Sequence, residues 1–148
     1  MRWRILLLLA VGSLIGADSQ GEVTAKKDLQ RFQGNWQLIS AERDGKRTPP
    51  EEAKKITLAI RENKFVLKKE SVVLSEGTFS LAPTKQPKEI DETITVGPNK
   101  GKVFLAIYEI DDEQHSICFA AAGKDRPTAL SSDPGSGNLL QLWKRVKN

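Results

Sequence analysis

The sequence predicts an all-β domain: an antiparallel, eight-stranded barrel preceded by a short N-terminal helix. Eight runs with strand-like alternation or apolar content follow one another between residues 36 and 146. Most connections between them are short and rich in turn residues, and no helical segment is long enough to link parallel strands. Because eight antiparallel strands can close on one another and leave no exposed edge, a barrel is favoured over an open sandwich.

The first 19 residues have the layout of a secretory signal peptide. Two arginines precede an apolar run at residues 5–15, and small residues follow it. The run is too short for a convincing membrane-spanning helix. With cleavage after Ala17 or after Ser19, we expect an exported protein, periplasmic or extracellular, with one domain over residues 20–148 and no stable membrane span.

A short helix is expected over residues 26–34, just before the first strand. Asp28 is placed to cap its start, and Leu29 and Phe32 share one face. Gly34 can end it, because glycine readily adopts the left-handed conformation found after helices.

The first strand runs from Trp36 to Arg43. Strict alternation places Trp36, Leu38 and Ser40 on one face and Ala41 on the other. An Asp-Gly turn signal follows directly and predicts the end of the strand.

A second short helix is expected in the first long connection. Thr48 and Glu51 have the spacing of a capping box, in which each side chain accepts a hydrogen bond from the other residue's backbone amide. Pro49 suits the first helical position, because no amide hydrogen is needed there. Lys54 and Lys55 favour the end of the same helix.

Seven further strand-like runs complete the predicted barrel. They lie at residues 56–60, 64–68, 72–81, 89–96, 103–110, 115–120 and 138–146. Gly77 indicates a bulge or a sharp bend inside the run at 72–81. The run at 89–96 alternates most cleanly, with Ile90, Glu92 and Ile94 on one face.

The glycine-rich stretch GKDRPTALSSDPGSG, residues 123–137, is predicted to be a long connection. A phosphate-binding P-loop needs a glycine where Cys118 stands and a Ser or Thr where Asp125 stands. The dinucleotide fingerprint fails as well, because Leu140 occupies the place of its third glycine. Arg126 is the candidate for a contact with an anion or a partner, and its alternatives are a salt bridge or bonds to loop carbonyls.

Few residues carry the chemistry of a catalytic or metal site. The single cysteine, Cys118, lies in an apolar strand and is interpreted as a buried structural thiol. The single histidine, His115, follows three acidic residues and is interpreted as a surface residue at a strand end. Lysines are mixed with acidic residues, unlike a nucleic-acid footprint. We therefore expect no enzyme activity, metal, cofactor or nucleic-acid partner, although a carboxylate pair assembled by the fold would leave hydrolysis open.

Short motifs such as Phe32-Gln33-Gly34-x-Trp36 are spread over most of the chain after the signal peptide. They lie at residues 29–36, 40–46, 76–79, 83–91, 107–109, 117–120, 123–128 and 134–137. In this order they resemble an uncharacterised secreted-domain family abundant in planctomycete bacteria. The resemblance implies a bacterial exported protein and assigns no activity to it.

The triplet Gly34-Asn35-Trp36 after a short helix is similar to the Gly-x-Trp start of lipocalins. This resemblance implies an eight-stranded barrel with the tryptophan at its closed end and a basic residue packed over it. Arg145 is the candidate for that residue, with Lys144 and Lys147 as alternatives. A guanidinium over an indole contributes roughly 0.5–2 kcal/mol. The lipocalin Thr-Asp-Tyr motif is absent, and residues 108–111 match it only loosely.

Two functions fit such a barrel. The first is binding of a small apolar ligand, for which Phe65, Phe79, Tyr108 and Phe119 are the candidate lining residues. The same side chains are also what a plain, packed core requires. The alternative is an interaction or structural domain of the cell envelope, with a filled barrel that contacts a protein partner through residues 123–137.

Overall fold

A computed structural model of the chain describes residues 17–147; residues 1–16 of the expected signal peptide lie outside this range. Its helices are α1 (Ala17–Phe32) and α2 (Pro50–Ala53). Its strands are β1 (Gly34–Arg43), β2 (Lys46–Arg47), β3 (Ile56–Arg61), β4 (Lys64–Lys69), β5 (Val72–Ala82), β6 (Glu89–Val96), β7 (Val103–Ile110), β8 (Gln114–Phe119) and β9 (Leu139–Arg145). Neither α1 nor α2 has the length and apolar character that a membrane crossing requires.

Eight of the strands form a closed antiparallel barrel, which confirms the predicted fold class. Each strand from β3 to β8 pairs with the strand that follows it in the chain. Strand β1 pairs with both β3 and β9. The pairing of β1 with β9 joins the two edges of the sheet, so the closed barrel leaves neither edge unpaired. The two-residue strand β2 pairs only with β1 and lies outside the closed ring. The architecture is lipocalin-like.

A bulge in β1 changes which of its residues face inward. The register against β9 shifts between Leu38 and Ser40, so one extra residue is accommodated there. As a result Ala41 is buried, Ser40 is only half-buried and Ile39 is 47% exposed. The strict alternation predicted for this strand was therefore wrong beyond Leu38.

Gly77 lies at a second irregularity, where the register of β5 against β6 shifts between Glu76 and Gly77. A Cβ atom at this position would lie 2.2 Å from the carbonyl oxygen of Thr93 and 2.7 Å from the ring of Phe65. No side chain fits in that space, so the close approach of β6 and the Phe65 ring to the backbone depends on glycine. The extra residue at this irregularity is Thr95 of β6, so the bulge lies in the partner strand opposite Gly77 and not at Gly77 itself, where it was predicted.

Helix α1 is longer than predicted and begins at Ala17. Asp28 therefore lies inside the helix and does not cap its start. Its side chain is 1% exposed, and its Oδ2 accepts hydrogen bonds from the Tyr108 hydroxyl at 2.7 Å and from Lys88 Nζ at 2.8 Å. These bonds attach the helix to the barrel, since Tyr108 belongs to β7 and Lys88 precedes β6.

The predicted capping box of α2 is not formed. Pro49 is the N-cap residue, no side chain caps the helix, and Pro50 occupies the first helical position. The amide of Thr48 instead donates to the carbonyl of Ala41 at 2.8 Å, which keeps Thr48 in the hairpin formed by β1 and β2. Pairing with β1 thus competes with the local capping geometry and determines where the helix begins.

One end of the barrel is closed by Trp36, which is fully buried. Its indole Nε1 donates to the carbonyl of Phe32 at 2.9 Å, which links the end of α1 to the start of β1. The guanidinium carbon of Arg145 lies 4.3 Å from the Trp36 ring centroid. Lys144 is exposed, and Lys147 forms a surface ion pair with Glu113.

Candidate functional site

The barrel encloses a cavity of about 170 Å³. Aromatic side chains from five strands contribute to its lining, because every second residue of a barrel strand points inward. Three of the predicted lining residues, Phe65, Phe79 and Phe119, border the cavity, together with Phe104 and Trp143. The cavity is therefore a mainly apolar space inside the barrel.

Tyr108, the fourth predicted lining residue, is not part of the cavity wall. Its ring is 1% exposed and packs at 5.3 Å from the ring of Phe32. Burial, together with the hydrogen bond that the hydroxyl donates to Asp28, raises the pKa of Tyr108. The side chain therefore helps to hold α1 against the closed end of the barrel.

Glu92 places a carboxyl group at the wall of this apolar cavity. It lies in the middle of β6, opposite Phe79 of β5 and opposite Phe104 of β7, and both phenylalanines also line the cavity. Among the described residues, none forms a hydrogen bond or an ion pair with the carboxyl. Burial raises the pKa of Glu92 to about 8, so most of the molecules carry it protonated at pH 7.

His115 is the second ionisable group in the interior, and the structure corrects its interpretation as a surface residue. It is 3% exposed and borders the cavity near the closed end. Its ring centroid lies 4.4 Å from that of Trp36 and 5.1 Å from that of Phe32, with both contacts edge-on. The strand β8 begins at Gln114, which is exposed, so the alternation of the strand turns His115 and Ile117 inward. The acidic residues before them lie outside the strand.

The imidazole of His115 is held neutral. Its Nδ1 is buried and has no hydrogen-bond partner among the described residues. Burial in the first place, and the positive charge of Arg145 in the second, lower the pKa of His115 to about 3. A neutral imidazole can offer one donor and one acceptor to a group that enters the cavity.

The remaining polar lining residues are Arg43, Ser75, Asn99 and Gln141. Arg43 is exposed and ends β1, at the opposite end of the barrel from Trp36. Gln141 accepts a hydrogen bond from the indole Nε1 of Trp143 at 3.1 Å. Among the described residues that line the cavity, Glu92 and His115 are the two ionisable groups that lie away from the exposed Arg43 end and have a polar atom without a hydrogen-bond partner.

The loop at residues 123–137 runs along the outer wall of the barrel. Arg126 forms ion pairs with Glu89 at 3.1 Å and with Asp91 at 2.7 Å. Its Nη1 also donates to the carbonyls of Ile90 and Ala106 at 3.2 and 2.8 Å. The Arg126 guanidinium therefore forms both a salt bridge and bonds to backbone carbonyls, the two alternatives to an anion or partner contact that the sequence left open.

Cys118 contributes to the attachment of the same loop. Its thiol is fully buried and lies 3.3 Å from the carbonyl oxygen of Ser131, to which it donates. Burial raises the pKa of Cys118, which disfavours the reactive thiolate. In the portion of the chain that the structure describes, no three His, Cys, Asp or Glu side chains are grouped as a metal site would require.

Sequence reasoning missed both interior polar groups, although a signal was present for one of them. Glu92 lies on the apolar face of the cleanest alternating strand, between Ile90 and Ile94. An ionisable residue in an inward register is unusual, since charged groups are rarely buried without a partner. His115 gave no comparable local signal, because its aromatic neighbours come from distant parts of the chain.

Comparison with known proteins gives no family for this chain. No protein-family model matches it, and neither does any curated protein or any solved structure. Its function is therefore inferred from the size of the cavity, the aromatic lining and the two interior polar groups.

Proposed function

We propose that this protein is an exported, non-enzymatic, lipocalin-like domain that binds a small, mainly apolar ligand inside its barrel. The observation that supports this is the cavity of about 170 Å³ lined by aromatic rings. Protein interiors are close-packed, and few voids larger than a water molecule are left in them. A space of this size in the centre of a small barrel can hold a ligand about as large as benzene.

The volume sets the size of the ligand. An engineered apolar cavity of roughly 150 Å³ binds benzene or xenon, whereas pockets for drug-sized ligands measure roughly 300–1,000 Å³. The ligand is therefore a compound with about one ring, or a short aliphatic chain. The rings of Phe65, Phe79 and Phe119 would supply its apolar contacts.

The arrangement of the two barrel ends favours one route of entry. Trp36, Arg145 and α1 occupy one end, where the guanidinium donates to the carbonyls of Gln33 and Asp112 at 2.6 and 2.7 Å. Arg43 borders the cavity at the other end and is exposed. We place the entrance at the Arg43 end.

Titration with toluene, followed by NMR of the lining methyl groups, tests the proposal. Ile94 is 6% exposed and lines the cavity, so Ile94→Phe fills part of the space, whereas Ile39 is exposed on the outside of the barrel. Toluene should bind the wild type and the matched control Ile39→Phe equally, and Ile94→Phe at least about tenfold more weakly. If toluene leaves the methyl signals of the folded wild type unchanged, the ligand-binding function is wrong.

The envelope-contact alternative has less support from the loop at residues 123–137. A partner that used Arg126 would have to break its ion pairs with Glu89 and Asp91 and its bonds to two carbonyls. Pro127 and Ser132 of the same loop are buried as well. These contacts are those of a segment that covers the barrel wall.

A further inference from the structure

We infer that the ligand carries a protonated amine, and that Glu92 binds its ammonium group. This inference rests on the ligand-binding function proposed above and specifies the chemistry of the ligand. It starts from a geometric observation: a carboxyl group without a partner borders a cavity whose other walls are mainly apolar.

The surroundings of Glu92 leave its carboxyl available to a ligand. The neighbouring strands β5 and β7 present Phe79 and Phe104 directly beside it. The other titratable groups of the cavity wall are Arg43, exposed at one end, and His115, buried near the other. Glu92 is the acidic residue of the lining, and its own strand places the apolar side chains of Ile90 and Ile94 on either side.

An ammonium group would supply the positive charge and the hydrogen-bond donors that the Glu92 carboxyl lacks. A buried carboxylate is costly unless a positive charge or several hydrogen-bond donors accompany it. An ammonium supplies both, with three donors and a full charge. The rings of Phe79 and Phe104 add cation–π attraction if the nitrogen lies over them. A neutral alcohol offers a single donor and no charge, and a ligand carboxylate offers neither a donor nor a positive charge.

The pKa of Glu92 agrees with this role and gives it a measurable signature. In the empty cavity burial raises that pKa to about 8, so the carboxyl is mostly protonated at pH 7. An ammonium beside it favours the ionised form and lowers the pKa. Binding at pH 7 therefore releases the proton of Glu92 to the buffer, and one negative and one positive charge remain in the site.

Four single-ring probes separate the possible ligand chemistries: benzylamine, benzyl alcohol, benzoate and toluene. Isothermal titration calorimetry measures their affinities, and buffers of different ionisation enthalpy report the proton released. On the wild type at pH 8, benzylamine should bind at least about tenfold more tightly than toluene, and benzoate more weakly than toluene. Near pH 7 the binding of benzylamine should release close to one proton, whereas the binding of toluene should release none.

Two variants assign the effect to one carboxyl. Glu92→Gln should remove the advantage of benzylamine and leave toluene binding, which also shows that the variant is folded. Glu109→Gln, in the exposed part of β7, neutralises a carboxyl outside the cavity and should bind like the wild type. In the wild type, the affinity for benzylamine should fall about tenfold for each pH unit below 8, while that for toluene stays constant.

The failure of this inference is distinguishable from the failure of the proposed function. If toluene binds but benzylamine binds no more tightly than toluene, the amine assignment is wrong and the binding function stands. The same conclusion follows if benzyl alcohol or benzoate binds as tightly as benzylamine. The amine assignment also fails if Glu92→Gln binds benzylamine like the wild type. If no probe binds the folded wild type, both are wrong.

Discussion

The guanidinium of Arg145 lies over the indole of Trp36, with its carbon 4.3 Å from the ring centroid. Its nitrogens donate to three backbone carbonyls, those of Gln33, Asp112 and Arg31. One side chain therefore joins the end of α1, the connection between β7 and β8, and the first strand. Each of these carbonyls would lose its partner if the guanidinium were removed.

Arg145→Met should lower the free energy of unfolding by about 2–4 kcal/mol, because it keeps most of the aliphatic stem and removes the donors and the charge. Urea denaturation followed by Trp fluorescence measures this. The matched control is Lys144→Met, on the adjacent exposed position of β9, which should change stability by less than about 0.5 kcal/mol. Equal losses in the two variants would show that Arg145 does not close the barrel.

Gly77→Ala should lower stability, whereas the matched control Gly21→Ala should leave it nearly unchanged. At Gly77 the new methyl group would overlap the Thr93 carbonyl oxygen and the Phe65 ring, at a cost of at least about 2 kcal/mol. At Gly21 the nearest atom is 3.5 Å away, and the residue lies close to the start of the chain once the expected signal peptide is removed, so alanine should change stability by less than about 0.5 kcal/mol. Thermal unfolding of both variants provides the measurement. A Gly77→Ala protein as stable as the wild type would contradict the close strand approach.

The single histidine should not titrate in the neutral range. Its folded pKa of about 3 lies below the ordinary value of 6.5, so its contribution to stability is complete above pH 6.5 and is lost as the pH falls toward 3. The ring proton signals of His115 in NMR spectra should therefore stay constant from pH 8 to pH 5. A titration midpoint near 6.5 would mean that the side chain is exposed to solvent.

The ligand-free protein should lose stability as the pH rises from 6 to 9. Glu92 has a folded pKa of about 8 against an ordinary 4.5, so its contribution is complete below pH 4.5 and is lost as the pH rises through 8. We expect the free energy of unfolding to fall by about 1–3 kcal/mol over this range. Glu92→Gln should flatten the profile in urea titrations. A wild-type profile that Glu92→Gln does not alter would indicate that the carboxyl is hydrated.

The strands of this protein could be predicted from the sequence because their signal is local. Alternation and turn residues alone place β6 at Glu89–Val96 and β7 at Val103–Ile110, as the structure has them. The same reasoning identified Phe65, Phe79 and Phe119, since inward aromatic residues of a barrel face a common interior.

The polar contacts that attach α1 and the loop at residues 123–137 to the barrel could not be predicted in the same way, because their partners are distant in sequence. Asp28 is buried by partners in and beside β6 and β7, and Arg126 folds back onto the wall that those strands form. The bulge at Leu38 likewise depends on pairing with β9. A local pattern carries no information about such partners.

The pairing of the first barrel strand with the last has a consequence for biosynthesis. Trp36 of β1 is registered with Arg145 of β9, so the ring cannot close until almost all of the described chain has left the ribosome. Until then β1 and β8 each present a row of unpaired backbone groups, which invites association between nascent chains. Such long-range pairing also places the protein among the slower-folding small domains.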